Sequence, residues 1–123
     1  MNPQTRTISP YFDGVLKLND TPLENVEILL STTKDDPQCF HVSHRTATDA
    51  DGKFSLPSAK QSYSYVPFIN YDLDEWTVCA KYNKERYTLY NNNSYGSGSI
   101  ADSIQLDCDL SKNPLSKLCK QVR

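Results

Sequence analysis

Apolar residues recur along this chain at alternate positions, in short runs separated by turn residues. In YFDGVLKL, residues 11–18, Phe12, Leu16 and Leu18 share one face, and NDTP then ends the run. NVEILLST carries Val26, Ile28 and Leu30 in the same way, followed by the loop TTKDDP. CFHVSHRTAT places Phe40 and Val42 on one face, and GKFSLP does so with Phe54 and Leu56. Further on, EWTVCAKY groups Trp76, Val78, Ala80 and Tyr82, and ERYTLY returns across the two-residue connection Asn83-Lys84 as a hairpin. SIQLDCDL closes the series with Ile104, Leu106, Cys108 and Leu110. A period of two hides one face of each strand and leaves the other wet. The expectation is therefore an all-β fold of seven strands in two sheets, with inner faces about 10 Å apart.

The tail has a different period. NPLSKLCKQVR repeats Leu115, Leu118, Cys119 and Val122 at the i, i+3, i+4, i+7 spacing of a helix. Asn113 suits the N-cap and Pro114 the first helical position, so a short helix is expected over about 114–122. A chain of 123 residues forms one core, read as a flexible lead over 1–10 and a single domain over 11–123.

Composition narrows the class. Charged residues make up 23% and hydrophobic ones 37%, with eight Tyr, which fits a polar β-rich domain better than a disordered chain. A net charge of −2 supplies no basic face for nucleic acid. No apolar run approaches the roughly 20 residues that cross a bilayer.

Cys39, Cys79, Cys108 and Cys119 are even in number and contain no C-x-x-C pair, which reads as two disulfides. Cys39 and Cys79 fall out of phase with the core sets of their strands, whereas Cys108 is in phase with Ile104 and Leu106. Of the three possible connectivities, phase favours Cys39–Cys79 with Cys108–Cys119, the second pair pinning the helix. Disulfides imply an oxidising compartment, while MNPQTRTISP has no apolar signal core. The two agree if Met1 stands where an export signal has been removed. A polar NPQTRTISP lead resembles the stretch immediately after the lipid-bearing cysteine of many bacterial lipoproteins. The expected location is then the periplasm or outer membrane. Four reduced, buried thiols in a cytosolic protein are the competing reading.

Taken together, GVLKLNDTPLENVEILLST and TATDADGKFSLP resemble the carboxypeptidase regulatory-like family of transthyretin-like (Ig-like) β-sandwiches. Gly14, Pro22, Leu23, Val26, Thr46, Thr48, Asp49, Gly52 and Phe54 occupy the places of that family's motifs. The likeness covers about the first half of the chain and stops at the Tyr-rich SAKQSYSYVPFINYDLDE. It implies a non-catalytic scaffold for folding, adhesion or recognition, with function carried by loops.

Few residues offer chemistry. In TATDADGKFSLP, an EF-hand count begun at Asp49 puts Asp51 at position 3 but Lys53 at 5, Phe54 at 6 and Lys60 at 12, so no calcium loop is formed. Asp49 and Gly52 instead suit the tight turn of a hairpin. His41 and His44, three apart on a strand, point to opposite faces and do not chelate together. No nucleophile elbow, H-E-x-x-H or phosphate loop is present, and neither a cofactor, a metal nor an enzyme activity is expected. The basic tail, Lys112, Lys117, Lys120 and Arg123, reads as a solvated face or a contact with an anionic membrane surface.

The remaining feature is residues 61–76, where Tyr63, Tyr65, Phe68, Tyr71 and Trp76 interleave with Asp72, Asp74 and Glu75. Aromatic residues give large contact areas at low entropic cost, and acids steer a basic partner; the same rings could equally cover an open sheet edge. The partner-binding set expected from sequence is Tyr63, Tyr65, Phe68, Tyr71, Asp72, Asp74 and Glu75. The expected function is recognition of another protein, in its sharpest form an immunity or inhibitor protein that neutralises a secreted toxin or envelope hydrolase. The alternative is a structural lipoprotein of an envelope or secretion assembly.

Overall fold

Strand propensity and turn chemistry act together in the computed structural model, which describes residues 4–7, 9–33, 35–63, 76–91, 103–111 and 118–122. Its strands are β1 (Gln4–Thr7), β2 (Tyr11–Leu18), β3 (Thr21–Pro22), β4 (Glu27–Ser31), β5 (His44–Ala47) and β6 (Lys53–Leu56). They continue as β7 (Lys60–Tyr63), β8 (Thr77–Tyr82), β9 (Glu85–Asn91), β10 (Ser103–Asp109) and β11 (Cys119–Gln121). The described residues are thus all-β. Each of the seven expected runs contributes a strand, and β1, β3, β7 and β11 raise the count to eleven.

One sheet has the order β11-β10-β2, with β6 and β3 sharing the far edge of β2; the other has the order β5-β4-β8-β9. β2 and β10 run parallel, Phe12 opposite Ile104 and Leu16 opposite Cys108, whereas every other pairing is antiparallel. The two sheets pack through one cluster. Phe12, Leu16, Phe54, Leu56, Ile104 and Leu106 come from the first sheet and its edge, and Val26, Ile28, Leu30, Val78, Ala80 and Leu89 from the side of the second. Leu89 apart, these are residues that alternation selects, so the sandwich-like core follows from the period of two.

Two-residue turns need φ > 0 at both positions, and the chain supplies side chains that tolerate it. Asn19 (φ 52°) and Asp20 (φ 64°) join β2 to β3, and Asn83 (φ 52°) and Lys84 (φ 67°) join β8 to β9. The first turn is held from outside. The buried Asp109 carboxylate accepts from Asn19 N (3.1 Å), Asp20 N (3.2 Å), Ser111 N (2.9 Å) and Ser111 Oγ (2.6 Å). Burial pushes its pKa up, but the Ser111 hydroxyl and the three amides outweigh this and hold it at about 2. An unfolded Asp titrates near 3.9. The stabilisation is therefore complete above that pH and is lost as pH falls through about 2. Asp109→Asn should flatten the acid limb of a melting-temperature profile taken from about pH 5 to pH 2; an unchanged slope would show the carboxylate to be energetically idle.

The C-terminal helix expected over 114–122 is not formed where the structure describes it. Residues 112–117 lie outside the described set, and Cys119–Gln121 are β11, antiparallel to β10 with Cys119 opposite Cys108. A helix this short is marginal alone. The open edge of β10 offers ladder partners instead: Asp109 N donates to Leu118 O (3.0 Å) and Val122 N to Gln105 O (2.8 Å). Between those bonds, Cys108 and Cys119 form a non-hydrogen-bonded pair with Cα atoms 4.0 Å apart, and their disulfide sits in the core.

Candidate recognition surface

Strand register sorts the connections between the two ends of the sandwich. Thr77 pairs with Ser31 and Asn91, Ser103 with Tyr11, and Trp76 packs edge-on against Phe12 at 4.9 Å, so these positions mark one end. The connections 32–43, 64–76 and 92–102, the three longest, all depart from that end. The opposite end carries the tight turns at Asn19-Asp20 and Asn83-Lys84, the turn 48–52, and the connection 110–118 that the Cys108–Cys119 bond closes. Long connections gathered at one end of a rigid scaffold are how sandwiches present binding loops.

The connection 32–43 is built as a strap. It hangs over the outer face of β4 and β8, where the Cys39–Cys79 disulfide and Leu29 form a small second core with Val42 packed on it. Asp36, itself buried, organises the turn: its carboxylate accepts from Phe40 N (2.9 Å), His41 N (2.8 Å) and Ser31 Oγ (2.8 Å). Burial raises its pKa, yet these donors outweigh burial and leave it below the usual carboxylate value. From β9, Arg86 donates to Cys39 O (2.8 Å) and Gln38 O (3.3 Å), and the Thr88 hydroxyl donates to Pro37 O.

This strap corrects one expectation. Phe40 and Val42 do not share a strand face: β5 begins at His44, Cys39 has φ 55°, and Phe40 is 65% exposed with its ring 5.0 Å from the Arg86 guanidinium. The tether to Cys79 and the Asp36 cap turn the chain away from the sheet before the ladder starts. His41 accordingly lies in the strap and His44 at the start of β5, so only His44 is on a strand. Phe40 was missed as a surface group because its alternation with Val42 resembled a strand; the signal against that was Cys39 sitting out of phase.

Of the expected partner-binding set, Tyr65, Phe68, Tyr71, Asp72, Asp74 and Glu75 lie outside the described residues, and Tyr63 is described only as the last residue of β7. Trp76, at the far end of the same segment, belongs to the core, between Phe12 and Tyr90, whose ring centroid is 6.0 Å from its own. The aromatic segment is therefore anchored at one end by a buried indole and at the other by a ribbon. In that ribbon β1 pairs antiparallel with β7, Gln4 opposite Tyr63 and Thr7 opposite Lys60, which places part of the 1–10 lead in a strand.

The ribbon continues the β2–β6 pairing beyond the sheet across a break with a visible cause. Pro10, just before β2, and Pro57, just after β6, have no amide to donate, so the ladder stops. The buried Ser9 hydroxyl fills the gap by accepting from Ala59 N at 2.9 Å.

Asp49 and Gly52 form the expected turn. Asp49 Oδ1 accepts from Asp51 N and Lys53 N, both at 2.9 Å, and Gly52 N (φ 75°) donates to Asp49 O at 2.9 Å. The turn differs from a hairpin in one respect. It carries the chain from β5 in one sheet to β6 in the other, so it is a corner of the sandwich. Among the described residues no three His, Cys, Asp or Glu side chains gather to hold a metal ion. A shallow cleft of about 410 Å³ lies on the outer face of β2, β6 and β10. It is lined by Asp13, Lys17, Lys53, Gln105 and Asp107, with Lys17 closed onto Asp107 at 3.0 Å, the mixed charge of a solvated sheet face.

A family model described as a domain of unknown function, DUF6795, matches residues 12–113, from the first strand of the sandwich to just beyond β10. No curated protein matches the chain.

Proposed function

The chain belongs to the DUF6795 family of domains of unknown function, and from its own residues we propose that it is a non-catalytic protein-recognition module of the bacterial envelope. The observation that carries this reading is the gathering of the connections 32–43, 64–76 and 92–102 at one end of a scaffold whose other end is tied off by tight turns and a disulfide. The aromatic and acidic composition of 61–75 supplies contact area and charge at that end. The two disulfides are compatible with an oxidising extracytoplasmic compartment, in keeping with a periplasmic or outer-membrane, lipid-anchored protein. The transthyretin-like likeness of residues 14–54 supports the same scaffold role.

The specific form of the proposal is an immunity or inhibitor protein that occupies a secreted toxin or an envelope hydrolase. Its contact residues are Tyr65, Phe68 and Tyr71, with Tyr63, Asp72, Asp74 and Glu75 around them. Affinity capture from envelope extract, quantified by mass spectrometry, tests it. The triple variant Tyr65→Ala/Phe68→Ala/Tyr71→Ala should lose the captured partner by a factor on the order of 100 or more, since hot-spot rings each contribute about 2 kcal/mol. Lys84→Ala at the opposite end should capture it unchanged. Undiminished capture by the triple variant would remove the aromatic segment from the proposal.

A further inference from the structure

The β1–β7 ribbon stands apart from both sheets of the sandwich. Its four register pairs, from Gln4 opposite Tyr63 to Thr7 opposite Lys60, tie β1 to β7, and among the described residues β7 is the strand with which β1 makes its ladder. A two-stranded ribbon by itself is marginally stable. It is set off from the sheet by Pro10 and Pro57, and the Ser9 hydroxyl bonded to Ala59 N marks the last fixed point before it. Such an arm, complete in its own pairing and set off from the sheet by prolines, is the architecture that strand exchange uses.

We propose that β1 is an exchangeable arm, leaving its own β7 and pairing with β7 of a second copy of the chain to form a swapped dimer. Each backbone bond lost in one copy is remade identically in the other, so the exchange costs association entropy and little else. The second copy is favoured over an unrelated strand because this chain's own arm arrives with its register to β7 already matched. In the swapped pair Gln4 of one copy lies opposite Tyr63 of the other, where the connection 64–76 begins. Two recognition ends would then be carried in one particle, which raises avidity for a partner displaying repeated sites.

The register names the test. A full-length chain carrying Thr5→Cys is mixed with one carrying Ser62→Cys, since these positions are ladder partners. Oxidised glutathione serves as the oxidant that takes up the two thiol hydrogens. The result expected is a disulfide-linked heterodimer in several-fold excess over either homodimer, increasing with protein concentration, with peptide mapping placing the new bond between positions 5 and 62. The double variant Thr5→Cys/Ser62→Cys, at low concentration, should close the same bond within one chain. Ready closure in the double variant with no heterodimer from the mixture at any concentration would overturn the exchange. Failure of the double variant to close would overturn the pairing on which it rests.

Discussion

Replacing Cys39 and Cys79 together by alanine should lower the melting temperature by on the order of 15 °C, and by more than replacing Cys108 and Cys119. The two bonds span different lengths of chain, 40 residues against 11. In the chain-entropy account, removing the longer link releases about 4 kcal/mol of constraint on the unfolded chain and removing the shorter about 3 kcal/mol. At this size each kcal/mol moves the midpoint by roughly 3–5 °C. Native contacts act in the same direction. The Cys39–Cys79 bond is the centre of the second core under the strap and fixes the turn in which Asp36 caps Phe40 and His41. Cys108 and Cys119 are also ladder partners in the β10–β11 pairing, whose backbone bonds do not depend chemically on the disulfide. Calorimetry on the two double variants reads the order directly, and a larger drop for Cys108→Ala/Cys119→Ala would contradict the role assigned to the strap.

The second large effect is expected at Gly52. Its φ of 75° favours glycine, and a Cβ built there would stand 2.5 Å from Leu16 O and 3.2 Å from Pro22 Cβ. The backbone cannot retreat without cost, because Gly52 O itself accepts from Leu16 N at 2.8 Å and so ties the corner to β2. Left-handed backbone costs a residue with a Cβ about 1–2 kcal/mol, and the backbone clash adds to it. Gly52→Ala should therefore destabilise by about 3 kcal/mol in denaturant titration. Asp51→Ala, one residue earlier and exposed, should change stability by no more than about 0.5 kcal/mol. Equal effects at the two positions would mean that the corner is not clamped to β2.

These cases show where the sequence is informative. Alternation identified the inner faces of β2, β4, β6, β8 and β10, because a sandwich buries one face of each strand and so hides Phe12, Leu16, Ile104 and Leu106 together. Phase also predicted both disulfides, since Cys79 points away from the core with Leu29 while Cys108 points into it. It failed where tertiary pairing outweighs local period. Leu118, Cys119 and Val122 fit a helix as written, yet the free edge of β10 and the bond to Cys108 impose a strand. Phe40 fits a strand, yet the Cys39 tether and the Asp36 cap bend it out of the sheet. The ribbon was illegible for another reason. QTRT and KQSY have no apolar alternation, and only the prolines at 10 and 57 indicate that paired strands are interrupted there.

The parallel pairing of β2 with β10 has a kinetic meaning. Tyr11 and Ser103 are neighbours in the sheet but stand near opposite ends of the chain, so the central ladder of the larger sheet closes only after almost the whole sequence is present. Contacts of such long range are entropically expensive to nucleate and slow to form. Until β10 is in place, the edge of β2 that it covers stays unpaired, although β3 and β6 already pair with β2 from within residues 11–56. The other sheet, β5-β4-β8-β9, is antiparallel and drawn from residues 27–91, so its ladders close over shorter stretches of chain and ahead of that one.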